Sequence, residues 1–175
     1  PPRNSSSGVL TCPNASGYSL WLVGGASNVG GAVLRQFFDQ QQLSDLSKIL
    51  GDRLNPYYPS ALDYYPLPQI GDRFPINDPE LKPRLEPRPS DPVAFLHGLL
   101  ESMARIEAQG YALLQTMGAA PVTKVYTAGG GAKNAVWTKI RDRYLPNLQS
   151  PNIDPLTTEA AYGSALLAKG KLNSP

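Results

Sequence analysis

Three consecutive glycines, Gly129-Gly130-Gly131, stand between a β-branched and aromatic run (Val122, Val125, Tyr126, Thr127) and a series beginning Ala132-Lys133-Asn134 that continues as a helix. That order predicts a strand, a tight turn and a helix N-terminus. Glycines strip the turn of every Cβ, so a ligand can lie against bare backbone while the amides that open the helix point at it. Asn134 falls in the first helical turn, where a short amide side chain either caps backbone groups or reaches a ligand. Nucleotide binding is the chemistry suited to such a place. A glycine turn between strand and helix also arises on steric grounds alone, and at this point both readings stand.

Spelling separates the nucleotide classes. A Walker A loop needs GxxxxGK followed by Ser or Thr, and no glycine here is followed by Lys and then either residue. A Rossmann fingerprint needs GxGxxG, and the run from Gly129 puts Asn134 where the third glycine belongs. Asp154 lies about where a ribose-binding acid sits, so a Rossmann-like dinucleotide or methyl-donor enzyme remains open.

The pattern occurs twice. Gly17 to Val23 reads as a strand, Gly24-Gly25-Ala26-Ser27-Asn28-Val29-Gly30-Gly31 as a glycine loop, and Ala32 to Gln42 as a helix with Val33, Leu34, Phe37 and Phe38 on one side. Two such loops can face a ligand from opposite sides. Alternatively, glycines 24, 25, 30 and 31 serve only to bring the helix close to the sheet.

The elements that must position these loops follow from local rules. Residues 1–16 form a loose Ser- and Pro-rich lead-in and a first strand, Gly8 to Cys12, paired with Gly17 to Val23 through the turn composition Pro13-Asn14-Ala15-Ser16. A short helix, Leu43 to Leu50, ends at Gly51. Residues 51–92 form an arm: ten of the eighteen prolines fall between Pro56 and Pro92, which excludes long helices and central strands. Tyr57, Tyr58, Tyr64, Tyr65, Leu67, Ile70, Phe74 and Ile76 pin it to the domain, since burying each is worth about 1.5–3 kcal/mol. Asp63 and Asp72 in this arm are expected to be solvated, salt-bridged acids rather than catalytic ones, because neither has a His, Lys or second carboxylate at a spacing that would tune it.

Asp91-Pro92 starts a long helix, as N-cap and N1 proline, that runs to Met117 and stops at Gly118. Leu96, Leu99, Leu100, Met103, Ile106, Leu113, Leu114 and Met117 keep a three-four spacing along it, interrupted by Glu101, Arg105 and Glu107, while Gly110 permits a close contact. His97, the single histidine, has no second ligand beside it and is assigned no role. Ala135 to Tyr144 is helical with Val136, Trp137 and Ile140 inward, a short strand is expected at Asn147 to Gln149, and a last helix runs from Thr158 to Lys169 with a small-residue face.

At 175 residues and 41% apolar content the chain suits one ordinary domain with a core. The net charge of +2 is not gathered into a basic stripe, so neither nucleic acid nor an anionic membrane is an expected partner. Cys12 is alone and without an activating charge nearby, a strand-borne structural thiol suited to a reducing compartment. No apolar run reaches the roughly 18 residues of a spanning helix and no charged-then-apolar stretch opens the sequence, so neither a spanning helix nor a signal peptide is expected. A start at Pro1-Pro2-Arg3 without methionine leads us to expect a processed or truncated chain.

Three segments in order, LWLVGGASNVGGAVL, TAGGGAKNAVW and TTEAAYGSALLA, resemble the C-terminal domain of the FGGY carbohydrate kinases, over about Gly17 to Ala168. The resemblance is nearest to the xylulose kinase-like and D-ribulose kinases of cyanobacteria and plants. It implies an α/β fold of the ribonuclease H-like type shared by actin, Hsp70 and sugar kinases, a mixed twisted sheet flanked by helices. It also implies an ATP/ADP site. Gly30, and more weakly Asn28, would face the phosphates; Gly129, Gly130 and Gly131 would give clearance and amide donors; Asn134 would lie at the adenosine end. Leu34 departs from the nucleotide-contacting Gln that related glycerol kinases carry there.

By the same resemblance, Thr157, Thr158 and Glu159 back the nucleotide loop from the last helix, and YYPLPQIGDRFPINDP is the family's connecting segment, without the catalytic base. The sugar site, the catalytic aspartate and the carboxylates that hold Mg²⁺ belong to an N-terminal domain expected to be absent here. No catalytic or metal-ligating residue is therefore assigned, and the chain alone is expected to be inactive. The expected setting is the cytoplasm or, in a plant, the plastid stroma. A ketopentose such as D-ribulose or D-xylulose is the expected substrate of the intact enzyme, with a non-catalytic interaction domain as the remaining alternative.

Overall fold

The computed structural model describes residues 7–13, 19–54 and 58–146, and residue 165 by itself, with backbone alone up to Leu22. The expected strand at Asn147–Gln149, the last helix, Asp154 and Tyr57 lie outside these residues, as does the expected hairpin turn beyond Pro13.

The hairpin forms as expected. Strands β1 (Ser7–Pro13) and β2 (Ser19–Gly25) pair antiparallel from Ser7 opposite Gly25 to Pro13 opposite Ser19. Among the described residues this two-stranded ladder is the whole sheet. The β-branched run before the second glycine loop contributes a bridge at Lys124 and no strand, so the mixed sheet is not seen here. Propensity alone does not make a strand; its backbone groups need a ladder partner.

The first helical stretch is broken where one continuous helix was expected. A single turn, α1 (Gly31–Leu34), is followed by turns and then by α2 (Gln40–Arg53), which takes in both the end of the expected first helix and the short helix after it. Asp39 is the reason. Its backbone is extended, its carboxylate accepts from the Gln42 amide at 2.8 Å, and Gln42 Oε1 accepts from the Asp39 amide at 2.9 Å. This capping box restarts the helix inside an apolar run that periodicity carried straight through. Gly51 lies within the last turn of α2 instead of ending it. A Cβ there would sit 3.1 Å from the Val136 side chain, so the glycine lets α2 come close to the helix that carries Val136.

Helix α3 (Pro92–Thr116) matches its expectation: Asp91 caps Val93, Pro92 opens the first turn, and Gly118 follows the end with φ +96°. A 3₁₀ turn (Gly130–Lys133) then leads into α4 (Ala135–Tyr144). The core gathers on α3, where Phe95, Leu96, Leu99 and Leu100 meet Phe38, Leu50, Val136 and Ile140. Tyr64 and Phe37 both set their rings edge-on to Phe95, with centroids at 5.8 and 5.1 Å.

The arm is pinned by part of its aromatic set. Tyr64, Tyr65, Leu67 and Phe74 are buried, whereas Tyr58, Ile70 and Ile76 face solvent. Tyr64 donates its hydroxyl to Pro87 O at 2.7 Å and its amide to Ser102 on α3 at 3.0 Å. Asp63 is the salt-bridged acid expected, held by Arg84 at 2.6 Å and Arg105 at 2.5 Å. Asp72 is not: it is 2% exposed and wholly enclosed by hydrogen bonds.

Candidate functional site

The first glycine loop leaves β2 at Gly25 and reaches α1 at Gly31. Its conformation is set by side chains. Ser27 donates its hydroxyl to Asp72 Oδ2 at 3.0 Å, the Asn28 amide donates to Asp72 Oδ1 at 2.8 Å, and Ser27 Oγ accepts from the Val29 amide at 3.0 Å. At Gly30 an added Cβ would meet no atom within 4 Å, so this stretch of backbone is bare toward open space.

The second loop turns at Gly129, whose φ of +75° favours glycine. Gly130 is as open as Gly30, while Gly131 lies against the Trp137 ring at ordinary contact distance. Asn134 resolves its two-way reading in favour of capping. Its Oδ1 accepts from the amides of Val136 at 3.0 Å and Trp137 at 3.1 Å, and its Nδ2 donates to Ser47 on α2 at 3.1 Å. The amides of Val136 and Trp137, expected to be aimed at a ligand, are therefore taken by Asn134. The loop offers clearance instead.

Both loops open onto one cleft of about 1100 Å³. Ser27, Val29, Gly30 and Gly31 of the first loop line it, as do Ala128, Gly130, Gly131 and Asn134 of the second. Leu96, Leu100, Met103 and Ile106 of α3 form an apolar wall, and Arg35, Lys48, Lys133 and Lys139 bring positive charge to the cleft against the acids Asp52 and Glu107, the latter paired with Arg141. Leu34 adds to the apolar lining. Of the residues expected at the site, Asn28 and Gly129 are not on the cleft wall. Asn28 turns its Nδ2 to Gly71 O at 2.9 Å and so ties the loop to the arm, and Gly129 sets the reversal that precedes the wall.

Arg141 supports the second loop from behind. It is buried on α4, donates from Nε to Glu107 Oε2 at 2.7 Å and from Nη2 to Glu107 Oε1 at 2.5 Å, and gives Nη1 to Thr127 Oγ1 at 2.5 Å. A bidentate pair of this kind fixes α4 to α3 and holds the chain just before the glycines. A second buried pair lies on the same two helices. Glu101 is fully buried, its Oε2 bonded by Arg143 and 3.2 Å from His97 Nε2. His97 thus has a structural partner one helical turn away. Burial pushes the Glu101 carboxyl up, but the hydrogen bonds and positive charge around it outweigh that, leaving it below its ordinary value.

Three features escaped the sequence reading. Asp72 had a signal: an acid between Tyr65 and Phe74, both destined for burial, needs donors of its own. The pairs Glu107–Arg141 and Glu101–Arg143 bridge separations of 34 and 42 residues and leave no local pattern. Among the described residues no group of three or more His, Cys, Asp and Glu side chains is placed to hold a metal ion, and no helix is long and apolar enough to cross a membrane.

A cleft lined by two bare glycine loops, each leading into a helix, leaves backbone open to a ligand. The particular family is given by comparison: the model for the C-terminal domain of the FGGY family of carbohydrate kinases matches residues 2–168. The chain belongs to that family. Membership brings the ribonuclease H-like, actin-like ATPase fold and the phosphotransferase class.

Proposed function

We propose that the cleft is the adenine-nucleotide site of a carbohydrate kinase, taking ATP as donor and releasing ADP. The observation that carries this reading is the convergence of Gly30 and Gly130, a hundred positions apart and both without neighbours where a Cβ would stand, on one cleft. Bare backbone admits a polyphosphate, and Arg35, Lys48, Lys133 and Lys139 complement its charge. The apolar wall on α3 suits the flat face of a base. ATP supplies the phosphoryl group that is transferred.

In this reading Gly30 and the loop around it face the phosphates, with Asn28 acting through its tie to the arm. Gly129, Gly130 and Gly131 shape the wall on the second loop, and Asn134 frames the adenosine end by fixing the start of α4. The described acids do not make a Mg²⁺ site, so no step is derived through the metal; it would arrive with the nucleotide and be held by other parts of the enzyme. The partner is the family's N-terminal domain, bearing the sugar site and the base that activates the acceptor hydroxyl. The acceptor is a ketopentose, with D-ribulose and D-xylulose the two to test.

The purified chain is expected to bind Mg-ADP and not NADH or S-adenosylmethionine, and to phosphorylate neither ketopentose by itself. Binding of NADH or S-adenosylmethionine in preference to ADP would replace this reading with the dinucleotide or methyl-donor one, and absence of all three would favour an interaction domain. Sugar phosphorylation above background by the chain alone would refute the division of labour between the two domains.

A further inference from the structure

Asp72 accepts from four donors, two on each of two segments. Its Oδ1 accepts from the Asn28 amide of the first glycine loop and from the Arg73 amide of the arm, each at 2.8 Å. Its Oδ2 accepts from the Ser27 hydroxyl of the loop at 3.0 Å and from the Tyr65 hydroxyl of the arm at 2.7 Å. Each oxygen therefore bridges loop and arm. Among the described residues no ion pair reaches this carboxylate, so hydrogen bonds alone hold a charge that is 2% exposed. Burial first, and then the bond to Asp72, push the Tyr65 hydroxyl well above the ordinary phenol range, which keeps it a permanent donor.

The arm beside Asp72 has firm footing. The Phe74 ring occupies the space that a Cβ on Gly25 would need, at 2.4 Å, and it also lies 2.9 Å from where a Cβ on Gly110 of α3 would stand. Asn28 Nδ2 on Gly71 O adds a further loop-to-arm link. Val29 packs on the Tyr65, Leu67 and Ile106 cluster, but the glycines carry no side chains and Gly30 has no neighbour where a Cβ would stand, so the polar set around Asp72 carries much of the loop's definition.

We propose that Asp72 is the positioning residue of the nucleotide site: it fixes Ser27 to Gly30 on the arm, so that Gly30 meets the phosphates with its backbone already in place. This rests on the nucleotide reading of the cleft. Asp72 touches no ligand in this account and acts through the Ser27 hydroxyl and the Asn28 amide.

The test is hydrogen exchange and Mg-ADP titration on the full-length protein and on D72N, S27A, Y65F and the D72N/S27A double variant. D72N keeps the shape of the side chain and one acceptor oxygen, but its amide group cannot accept from a donor pair. Exchange of the amides from Asn28 to Gly31 is expected to rise about tenfold or more in D72N while α3 and α4 keep wild-type protection, with Mg-ADP affinity falling about tenfold. S27A is expected to move both readouts the same way, and the double variant to be no worse than D72N because the two act through one link. Y65F, which removes only an arm-side donor, should leave affinity within about twofold while lowering stability.

Unchanged loop exchange in a folded D72N, or fully additive losses from D72N and S27A, overturns the proposal. Should D72N also lose the protection of α3, S27A decides alone by the same loop readout. If the wild type binds no Mg-ADP, the nucleotide reading falls and with it the positioning role; loop exchange still tells whether the tether exists. If the wild type binds and D72N binds equally well, the positioning role falls and the nucleotide reading stands.

Discussion

Asn134 Nδ2 donates to Ser47 Oγ at 3.1 Å, joining side chains 87 positions apart. The residue that caps the helix after the second glycine loop is thereby fastened to α2, which follows the first. This side-chain bond and the close approach of Gly51 to Val136 join α2 to α4, beside the core that both helices share on α3.

Asn134→Ala removes the cap and the tie together, and stability measured by urea denaturation should fall by about 1–2 kcal/mol. Asn134→Asp keeps the acceptors for Val136 and Trp137 but loses the donor to Ser47. It should stay close to wild-type stability while weakening Mg-ADP binding, and Ser47→Ala should do the same. Equal nucleotide affinity in all three variants would show that the tie does not shape the cleft.

The glycines divide into two kinds. Gly25 lies under Phe74, where a Cβ would clash at 2.4 Å, and Gly25→Ala should destabilise by about 1–3 kcal/mol through overpacking. Gly30 and Gly130 have open space instead. Alanine at either should shift the thermal midpoint little, and the bulkier Gly130→Val should obstruct the ligand. Thermal melts beside binding titrations separate the two kinds.

Glu101 should dominate acid sensitivity. Its carboxyl sits below its ordinary value in the folded protein, so its contribution is fully present above the unfolded pKa, near 4.5, and is lost as pH falls toward the lower folded value. Glu101→Gln should flatten the stability profile in that window. Glu101→Leu, which leaves Arg143 facing the interior without its partner, should lower stability at pH 7 by about 3–5 kcal/mol in chemical denaturation.

Arg141→Lys keeps the charge and loses the fork that grips Glu107 with two nitrogens and Thr127 with a third. A loss of about 1.5–3 kcal/mol is expected, together with faster hydrogen exchange at Ala128 to Gly131.

Much of this was legible where local chemistry decides. The long helix announced itself at Asp91-Pro92 and closed before Gly118, and the hairpin followed from two β-prone runs around a turn composition. Both glycine loops were visible as strings of residues. Their meeting in one cleft was foreseen only as an arrangement two loops can adopt, since nothing in their spacing dictates it.

What failed did so for physical reasons. The helix over 32–42 breaks because the Asp39–Gln42 box competes with an apolar period that runs on through Phe38. Asn134 presented two uses of one side chain, and the geometry spends it on the backbone. Asp72 was read from its neighbours in sequence, which offer no His, Lys or second carboxylate at a tuning spacing, whereas its partners Ser27 and Asn28 come from more than forty positions away. The mixed sheet depends on ladder partners that the run around Val125 does not find among the described residues.

The central claim, that the two glycine loops form one nucleotide site, is tested most directly by calorimetric titration of the chain with Mg-ADP beside Gly30→Val and Gly130→Val. The account predicts one binding event per chain in the wild type, weakened by a substitution in either loop while both variants remain folded. Binding that is indifferent to both substitutions, or no binding to the folded wild-type chain, would contradict it.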